Sequence, residues 1–126
     1  MKRILVIEDN EQNMYLTTFL LENSGYEVVQ AWNGREGLAV AEKEKPSLIL
    51  LDIQLPEMNG YTVAQEIRAN DTLQDVPVVA VTSYAMVGDR ERIMEAGCTG
   101  YIEKPINPET FVAEIEKYLP AGSAGQ

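Results

Sequence analysis

Acidic residues follow two separate apolar runs of the sequence, and their spacing could build a site for a cation and a phosphoryl group. Glu8 and Asp9 follow the run that ends at Ile7, and Asp52 follows the run that ends at Leu51. Neighbouring parallel strands lie about 4.8 Å apart, so these carboxylates would be neighbours if the runs form adjacent strands. Carboxylates ~4 Å apart repel by roughly 1 kcal/mol in water and ~4 kcal/mol at an effective dielectric of 20. The pattern predicts a bound cation or raised pKa values.

The type of cation follows from the ligand atoms that the chain offers. The sequence contains no His, and its one cysteine, Cys98, has no neighbour that would activate a thiol. Oxygen ligands select a hard cation, and a few carboxylates with room for water favour Mg²⁺ over a Ca²⁺ cage. Thr82 and Lys104 follow two further apolar runs. Beside Mg²⁺ they could stabilise phosphoryl oxygens while Asp52 attacks phosphorus.

Each of these residues also has an ordinary structural interpretation when it is taken alone. Asp9 or Asn10 could cap a helix, Thr82 could form a turn, and Lys104 could be solvated. The chemical interpretation depends on whether the fold brings them to one place.

The elements that would position these residues alternate regularly along the chain. Short β-branched apolar runs predict strands at residues 3–8, 26–31, 47–52, 77–82 and 100–103. Helical spacing predicts helices at residues 11–24, 34–45, 61–69, 88–96 and 108–119. Gly25 and Gly97 are placed to end the first and fourth helices, and Asn107 is placed to cap the last.

The strand sequences favour an α/β fold with a doubly wound parallel sheet. Runs such as residues 4–7, 48–51 and 78–81 lack polar alternation, which is typical of strands covered by helices on both faces. Five such strands favour the flavodoxin-like order 2-1-3-4-5, with a crevice where strands one and three diverge. We expect one domain over residues 1–120 and a small, polar, disordered tail over residues 121–126.

Composition excludes several classes of function. The chain has 20 acidic and 10 basic residues, a formal net charge of −10, which disfavours nucleic acid and anionic membranes as partners. No apolar segment reaches the length of a membrane span. A chain without His cannot carry phosphohistidine, so any such chemistry must come from a partner. A lone cysteine without a disulfide partner favours a cytoplasmic setting.

Four motifs resemble the receiver domain of two-component response regulators. They are VIEDN at residues 6–10, LLDIQLPEMNG at 50–60, VTSYAM at 81–86 and GYIEKP at 100–105. The resemblance covers the chain from about Lys2 to Leu119, and it is greatest to the CheY-like regulators of the stand-alone, DivK type. It implies phosphorelay signal transduction in which a sensor histidine kinase or a histidine phosphotransfer protein supplies the phosphoryl group.

The resemblance also implies a role for each site residue. Asp52 would be the phosphoacceptor, Asp9 a direct Mg²⁺ ligand, Glu8 a ligand through water, and the Gln54 backbone carbonyl a further ligand. Lys104 would pair with the phosphoryl group, and the Lys104–Pro105 bond would be cis. The domain would catalyse only its own phosphorylation and dephosphorylation.

A conformational response is implied as well. Phosphorylation would draw Thr82 toward the phosphate and let Tyr101 turn inward, although Tyr101 also fits as an ordinary half-buried strand aromatic. The face built from the fourth helix, fifth strand and fifth helix would then contact a downstream protein. Candidates for that contact are Tyr84, Met86, Val87 and Ile106, of which Ile106 fits a core position equally well.

Gln54 and Tyr84 differ from the commonest residues of the family at positions that flank the path of the hydrolytic water. We predict that the bulky Tyr84 side chain shields phosphoaspartate and slows its spontaneous loss. Tyr84→Ala should therefore shorten the phosphoryl half-life, measured by the decay of the phosphoprotein mass. An unchanged half-life would contradict this role.

Other functional classes fit the sequence less well. A haloacid-dehalogenase-type aspartyl-phosphate phosphatase has its nucleophile after the first strand and a second acid two residues later, where this chain has Gln54. No glycine-rich nucleotide-binding motif occurs, and the acids that follow the first strand would repel a flavin phosphate. A receiver-like module that binds partners without phosphorylation would normally have lost one of the pocket residues.

Overall fold

The sheet has five parallel strands with the pocket residues at one edge. The computed structural model describes residues 2–55, 57–83 and 86–119. The strands are β1 (Arg3–Ile7), β2 (Glu27–Ala31), β3 (Leu48–Asp52), β4 (Val78–Thr82) and β5 (Gly100–Glu103). Their spatial order is β2-β1-β3-β4-β5, and every neighbouring pair is parallel. The predicted fold class and strand order are confirmed.

Helices cover both faces of this sheet, because successive strand residues point to opposite sides. The helices are α1 (Glu11–Asn23), α2 (Gly34–Glu44), α3 (Gly60–Ala69), α4 (Val87–Glu95) and α5 (Phe111–Glu116). Leu5 and Ile7 pack with residues of α2, α3 and α4 in one buried cluster. Ile4 and Val6 pack with residues of α1 and α5 in the other. The uninterrupted apolar strands are thus explained by burial on both faces.

Local signals set the ends of several helices. The side chains of Asn10, Asn33 and Asn59 accept hydrogen bonds from backbone N–H groups in the first turns of α1, α2 and α3. Gly25 and Gly97 follow α1 and α4 with φ angles of 94° and 104°. Those angles lie in the region that favours glycine, so the predicted glycine stops are confirmed.

The last helix differs from its prediction, because it covers Phe111–Glu116 rather than residues 108–119. The Asn107 side chain accepts from the Glu109 N–H, and the Asn107 carbonyl accepts from the Thr110 and Phe111 N–H groups. Asn107 therefore caps a turn that precedes α5. A 3-10 helix at Asp71–Leu73, within the connection from α3 to β4, was not predicted, and its Leu73 side chain is buried.

The remaining sequence features are Cys98, the absence of a predicted membrane span, Tyr84 and the tail. Cys98 is buried, and this burial raises the pKa of its thiol to about 11, which agrees with a packing role. Among the described residues, none of the helices combines the length and apolarity needed to cross a bilayer. Tyr84 and the tail at residues 121–126 lie outside the described residues, so the predictions made for them stay predictions.

Candidate functional site

Three carboxylates meet at the carboxyl ends of β1 and β3. These strands are adjacent, and Ile7 pairs with Leu51, so the residues that follow them share one rim of the sheet. One oxygen atom from each of Glu8, Asp9 and Asp52 lies within 4.8 Å of the others. Glu8 and Asp52 expose only 4% and 3% of their surface, whereas Asp9 is open to solvent. The predicted cluster is confirmed as geometry.

One ammonium group faces this acidic cluster. The Lys104 Nζ lies 3.2 Å from Asp52 Oδ1 and 3.9 Å from Glu8 Oε1. Lys104 directly follows β5, and its peptide bond to Pro105 is cis, as expected from the family resemblance. One positive charge among three carboxylates leaves the pocket with an excess of negative charge.

Thr82 reaches the same rim from β4. It is buried, with 1% of its surface exposed, and it pairs with Glu103 on β5. Its carbonyl accepts a 2.8 Å hydrogen bond from the Lys104 backbone N–H. The strand ends that carry Thr82 and Lys104 are therefore joined directly.

Two backbone N–H groups orient the buried carboxylates. The Gln54 N–H donates to Asp52 Oδ1 at 2.9 Å, and the Asn10 N–H donates to Glu8 Oε2 at 3.1 Å. For Gln54 we predicted a metal-ligating carbonyl and a place beside the path of the hydrolytic water, but not this backbone donor. The signal was present, because an aspartate commonly accepts from the N–H two residues later.

Burial and crowding change the protonation of Glu8. Its pKa is raised to about 8; desolvation by burial is the largest cause, and the neighbouring Asp52 side chain acts in the same direction through a hydrogen bond and through its charge. The Asn10 N–H and the Lys104 charge oppose this shift without cancelling it. Burial beside Asp52 therefore favours the protonated form of Glu8 in the folded, metal-free protein.

This raised pKa predicts a pH-dependent stability of the metal-free protein. Glu8 binds a proton more tightly in the folded state than in the unfolded state, where its pKa is near 4.5. Its stabilising contribution is present below that value and is lost as the pH rises through about 8. In urea unfolding with EDTA, wild type should lose on the order of 2 to 4 kcal/mol more between pH 5 and 9 than Glu8→Gln.

Glu42→Gln, which neutralises an exposed glutamate of α2, serves as the matched control and should follow wild type. If the free energy of unfolding depended equally on pH in wild type and in Glu8→Gln, the raised pKa of Glu8 would be contradicted.

Gly60 lets α3 approach the strand that carries Asp52. A Cβ atom on Gly60 would lie 2.5 Å from the Ile53 Cα and 2.7 Å from the Asp52 carbonyl oxygen. Both neighbours are backbone atoms, so Gly60→Ala should lower the free energy of unfolding by about 1 to 3 kcal/mol. Gly88→Ala is the control, because a Cβ atom on Gly88 would meet nothing within 4 Å. Since alanine favours a helix more than glycine does, this change in α4 should raise the free energy of unfolding by up to about 1 kcal/mol. Equal urea midpoints for Gly60→Ala and wild type would contradict the close approach.

The arrangement of donors fits a hard divalent cation. The ligand atoms are carboxylate oxygens, and a cation among them would relieve the repulsion that raises the Glu8 pKa. The exposed position of Asp9 leaves one side of the cluster open to water, as Mg²⁺ prefers.

The Tyr101 ring and the Gln54 side chain are the remaining predicted site groups that the structure describes. Tyr101 is half-buried on β5, where it pairs with Ala80 and packs against the cluster that contains Leu5 and Ile7. The Gln54 side chain is exposed. Asp52 lies on the third strand, which does not match the position of a haloacid-dehalogenase-type nucleophile.

Comparisons with known proteins show the family of this chain. A family model described as the response regulator receiver domain matches residues 4–116. The chain is 48% identical over 118 residues to the polar-differentiation response regulator DivK of Brucella anthropi, covering 94% of this chain and 96% of that protein. The corresponding protein of Brucella ovis is 46% identical over the same shares of the two chains.

Solved structures show the same fold. A chemotaxis response regulator of Vibrio cholerae has a TM-score of 0.91 at 28% identity, covering 94% of this chain and 99% of that one. The receiver domain of a sensor histidine kinase from Pseudomonas aeruginosa has a TM-score of 0.86 at 31% identity, covering 99% and 98%. The latter structure has a magnesium ion coordinated in its active site cleft.

Proposed function

Because this chain belongs to the response regulator receiver domain family, we propose that Asp52 accepts a phosphoryl group from a phosphohistidine of a partner protein. The partner would be a sensor histidine kinase or a histidine phosphotransfer protein. One observation carries the proposal: the buried Asp52 carboxylate lies 3.2 Å from the Lys104 ammonium beside two further acids. An aspartate that served only as an ion-pair partner for Lys104 would not need those acids, which cost stability.

The residues of the chain have separate parts in the transfer. A carboxylate oxygen of Asp52 attacks phosphorus, the bond from phosphorus to the imidazole nitrogen breaks, and the imidazole leaves with the electron pair. The Gln54 N–H holds Oδ1 of the attacking carboxylate. The Lys104 ammonium, already beside that oxygen, pairs with the incoming negative charge. The Thr82 hydroxyl would donate to the transferred group.

Glu8, Asp9, Asp52 and the Gln54 carbonyl would hold Mg²⁺ at this site. When bound, the ion neutralises negative charge on the phosphoryl oxygens. The carboxylate cluster and the raised Glu8 pKa support this assignment, and so does the magnesium-containing relative from Pseudomonas aeruginosa.

The signal would leave the domain by contact with another protein. Thr82 and Tyr101 would respond to the phosphoryl group, and α4, β5 and α5 would form the face that a downstream target reads. Met86 and Val87, at the start of α4, expose 76% and 69% of their surface, which supports a contact role. We place this activity in the cytoplasm, with no nucleic acid or membrane as partner and with no turnover beyond the domain's own phosphorylation and dephosphorylation.

Intact-protein mass spectrometry tests the proposed function. The protein is incubated with acetyl phosphate and Mg²⁺, and a matched sample receives the same donor with EDTA in place of Mg²⁺. We expect a mass gain of one phosphoryl group in the first sample and little or none in the second. A gain that is equal in both samples would contradict a Mg²⁺-dependent acceptor.

A further inference from the structure

Helix α4 is held to the domain by very little buried surface. Ile93 is the one buried residue among its nine, all of which the structure describes, whereas α3 buries Gly60, Val63, Ala64 and Ile67. Met86, at the N-cap of α4, makes no side-chain capping bond to the described residues. Contacts other than core packing must therefore contribute to its position.

Two arginines of α4 provide such contacts on neighbouring elements. The Arg92 Cζ lies 4.1 Å from the centroid of the Tyr61 ring on α3. The Arg90 Cζ lies 5.5 Å from the centroid of the Tyr101 ring on β5. Cation–π attraction extends to about 6 Å, so the Arg92 contact lies well inside this range and the Arg90 contact lies near its limit. A small displacement of α4 would therefore end the contact of Arg90 with Tyr101 and preserve the contact of Arg92 with Tyr61.

The Arg90 contact also joins the two segments that carry the phosphoryl-binding groups. Thr82 ends β4, and residues 83–86 connect it to α4, where the Arg90 N–H donates to the Met86 carbonyl at 3.0 Å. Tyr101 lies on β5, three residues before Lys104. A movement of Thr82 toward Asp52 would therefore act on the start of α4, and an inward turn of the Tyr101 ring would withdraw the ring from Arg90, so either response would end this contact.

We propose that Arg90 is a positioning residue that opposes phosphorylation by holding the first turn of α4 on Tyr101. This inference rests on the proposed function, since the response of Thr82 and Tyr101 to a group on Asp52 is what separates Arg90 from the ring. Arg92 keeps the second half of α4 on Tyr61 in both states. Only the contact that differs between the two states can change the affinity for a phosphoryl group.

Binding of beryllium trifluoride, which mimics a phosphoryl group on aspartate, tests the proposal. Its affinity in the presence of Mg²⁺ is measured by isothermal titration calorimetry. Loss of an exposed cation–π contact should raise the affinity of Arg90→Gln about two- to fivefold. Arg92→Gln and Arg35→Gln remove the same positive charge, so a rise confined to Arg90→Gln cannot arise from the change in net charge.

Two variants serve as controls for this effect. Arg92→Gln should lower the thermal stability and leave the affinity unchanged, because its contact persists in both states. Arg35→Gln, at an exposed position of α2, should change neither.

A double-mutant cycle identifies the partner of Arg90. In a Tyr101→Leu background the ring is absent, and Arg90→Gln should no longer raise the affinity. An unchanged or lower affinity in Arg90→Gln, or an equal rise in the Tyr101→Leu background, would overturn the proposal. Failure of wild type to bind beryllium trifluoride would instead contradict the proposed function.

Discussion

Asp52→Asn is expected to abolish phosphoryl uptake from acetyl phosphate and from a phosphohistidine partner. The amide keeps the shape of the side chain and an oxygen that accepts from the Gln54 N–H, but it is not a nucleophile. The fraction of protein molecules that gain the mass of a phosphoryl group should fall by more than about a hundredfold, to the level of a sample without donor. The change also removes one of three crowded carboxylates, so we expect the metal-free variant to be folded and no less stable than wild type.

Asp75→Asn is the matched control for this experiment. Asp75 is exposed in the turn that precedes β4, outside the carboxylate cluster, and this variant should gain a phosphoryl group like wild type. A phosphoryl gain in Asp52→Asn equal to that of wild type would place the acceptor elsewhere. A gain lost equally in both variants would indicate a general effect of charge.

Asp9→Asn is expected to have the second largest effect, on cation binding. Asp9 is the exposed member of the cluster, and its oxygen lies within 4.8 Å of ligand atoms of Glu8 and Asp52. Loss of a unit charge that close to a divalent ion corresponds to more than about 1.4 kcal/mol, or at least about tenfold in Mg²⁺ affinity. Calorimetric titration with Mg²⁺ measures the change.

The kinetic consequence of Asp9→Asn separates a binding role from a chemical role. If Asp9 acts through Mg²⁺, the phosphorylation rate at low Mg²⁺ should fall and should recover toward the wild-type rate as Mg²⁺ is raised. Asp75→Asn should retain wild-type affinity and rate throughout. An unchanged Mg²⁺ affinity in Asp9→Asn would contradict the assignment of this carboxylate as a ligand.

The sheet and its order could be predicted from the sequence because burial on both faces leaves a clear pattern. Runs such as Ile4 to Ile7 are apolar without alternation, and only a sheet covered by helices on both sides buries every position. The start of α5 could not be predicted in the same way. Pro108 is compatible with a first helical turn, and the competing turn around Asn107 depends on hydrogen bonds that the spacing of residues does not reveal.

At the site, too, some features could be predicted from the sequence and others could not. Parallel strands bring their carboxyl ends together, so the meeting of Glu8, Asp9 and Asp52 followed from the topology alone. The contact between Arg90 and Tyr101 did not, because arginine on an exposed helix is compatible with many orientations. The need for a residue without a Cβ atom at position 60 could not be predicted either, since the approach of α3 to Ile53 depends on how the helix packs.

Chemical mapping of the phosphorylated residue tests the central claim most directly. The phosphoprotein is reduced with sodium borohydride, which converts an acyl phosphate to the corresponding alcohol, and the digested peptides are sequenced by tandem mass spectrometry. We expect homoserine in place of Asp52 in the peptide that spans β3, and unmodified Glu8 and Asp9. Reduction at either of those two residues, or a phosphoprotein in which Asp52 survives the treatment unchanged, would contradict the account.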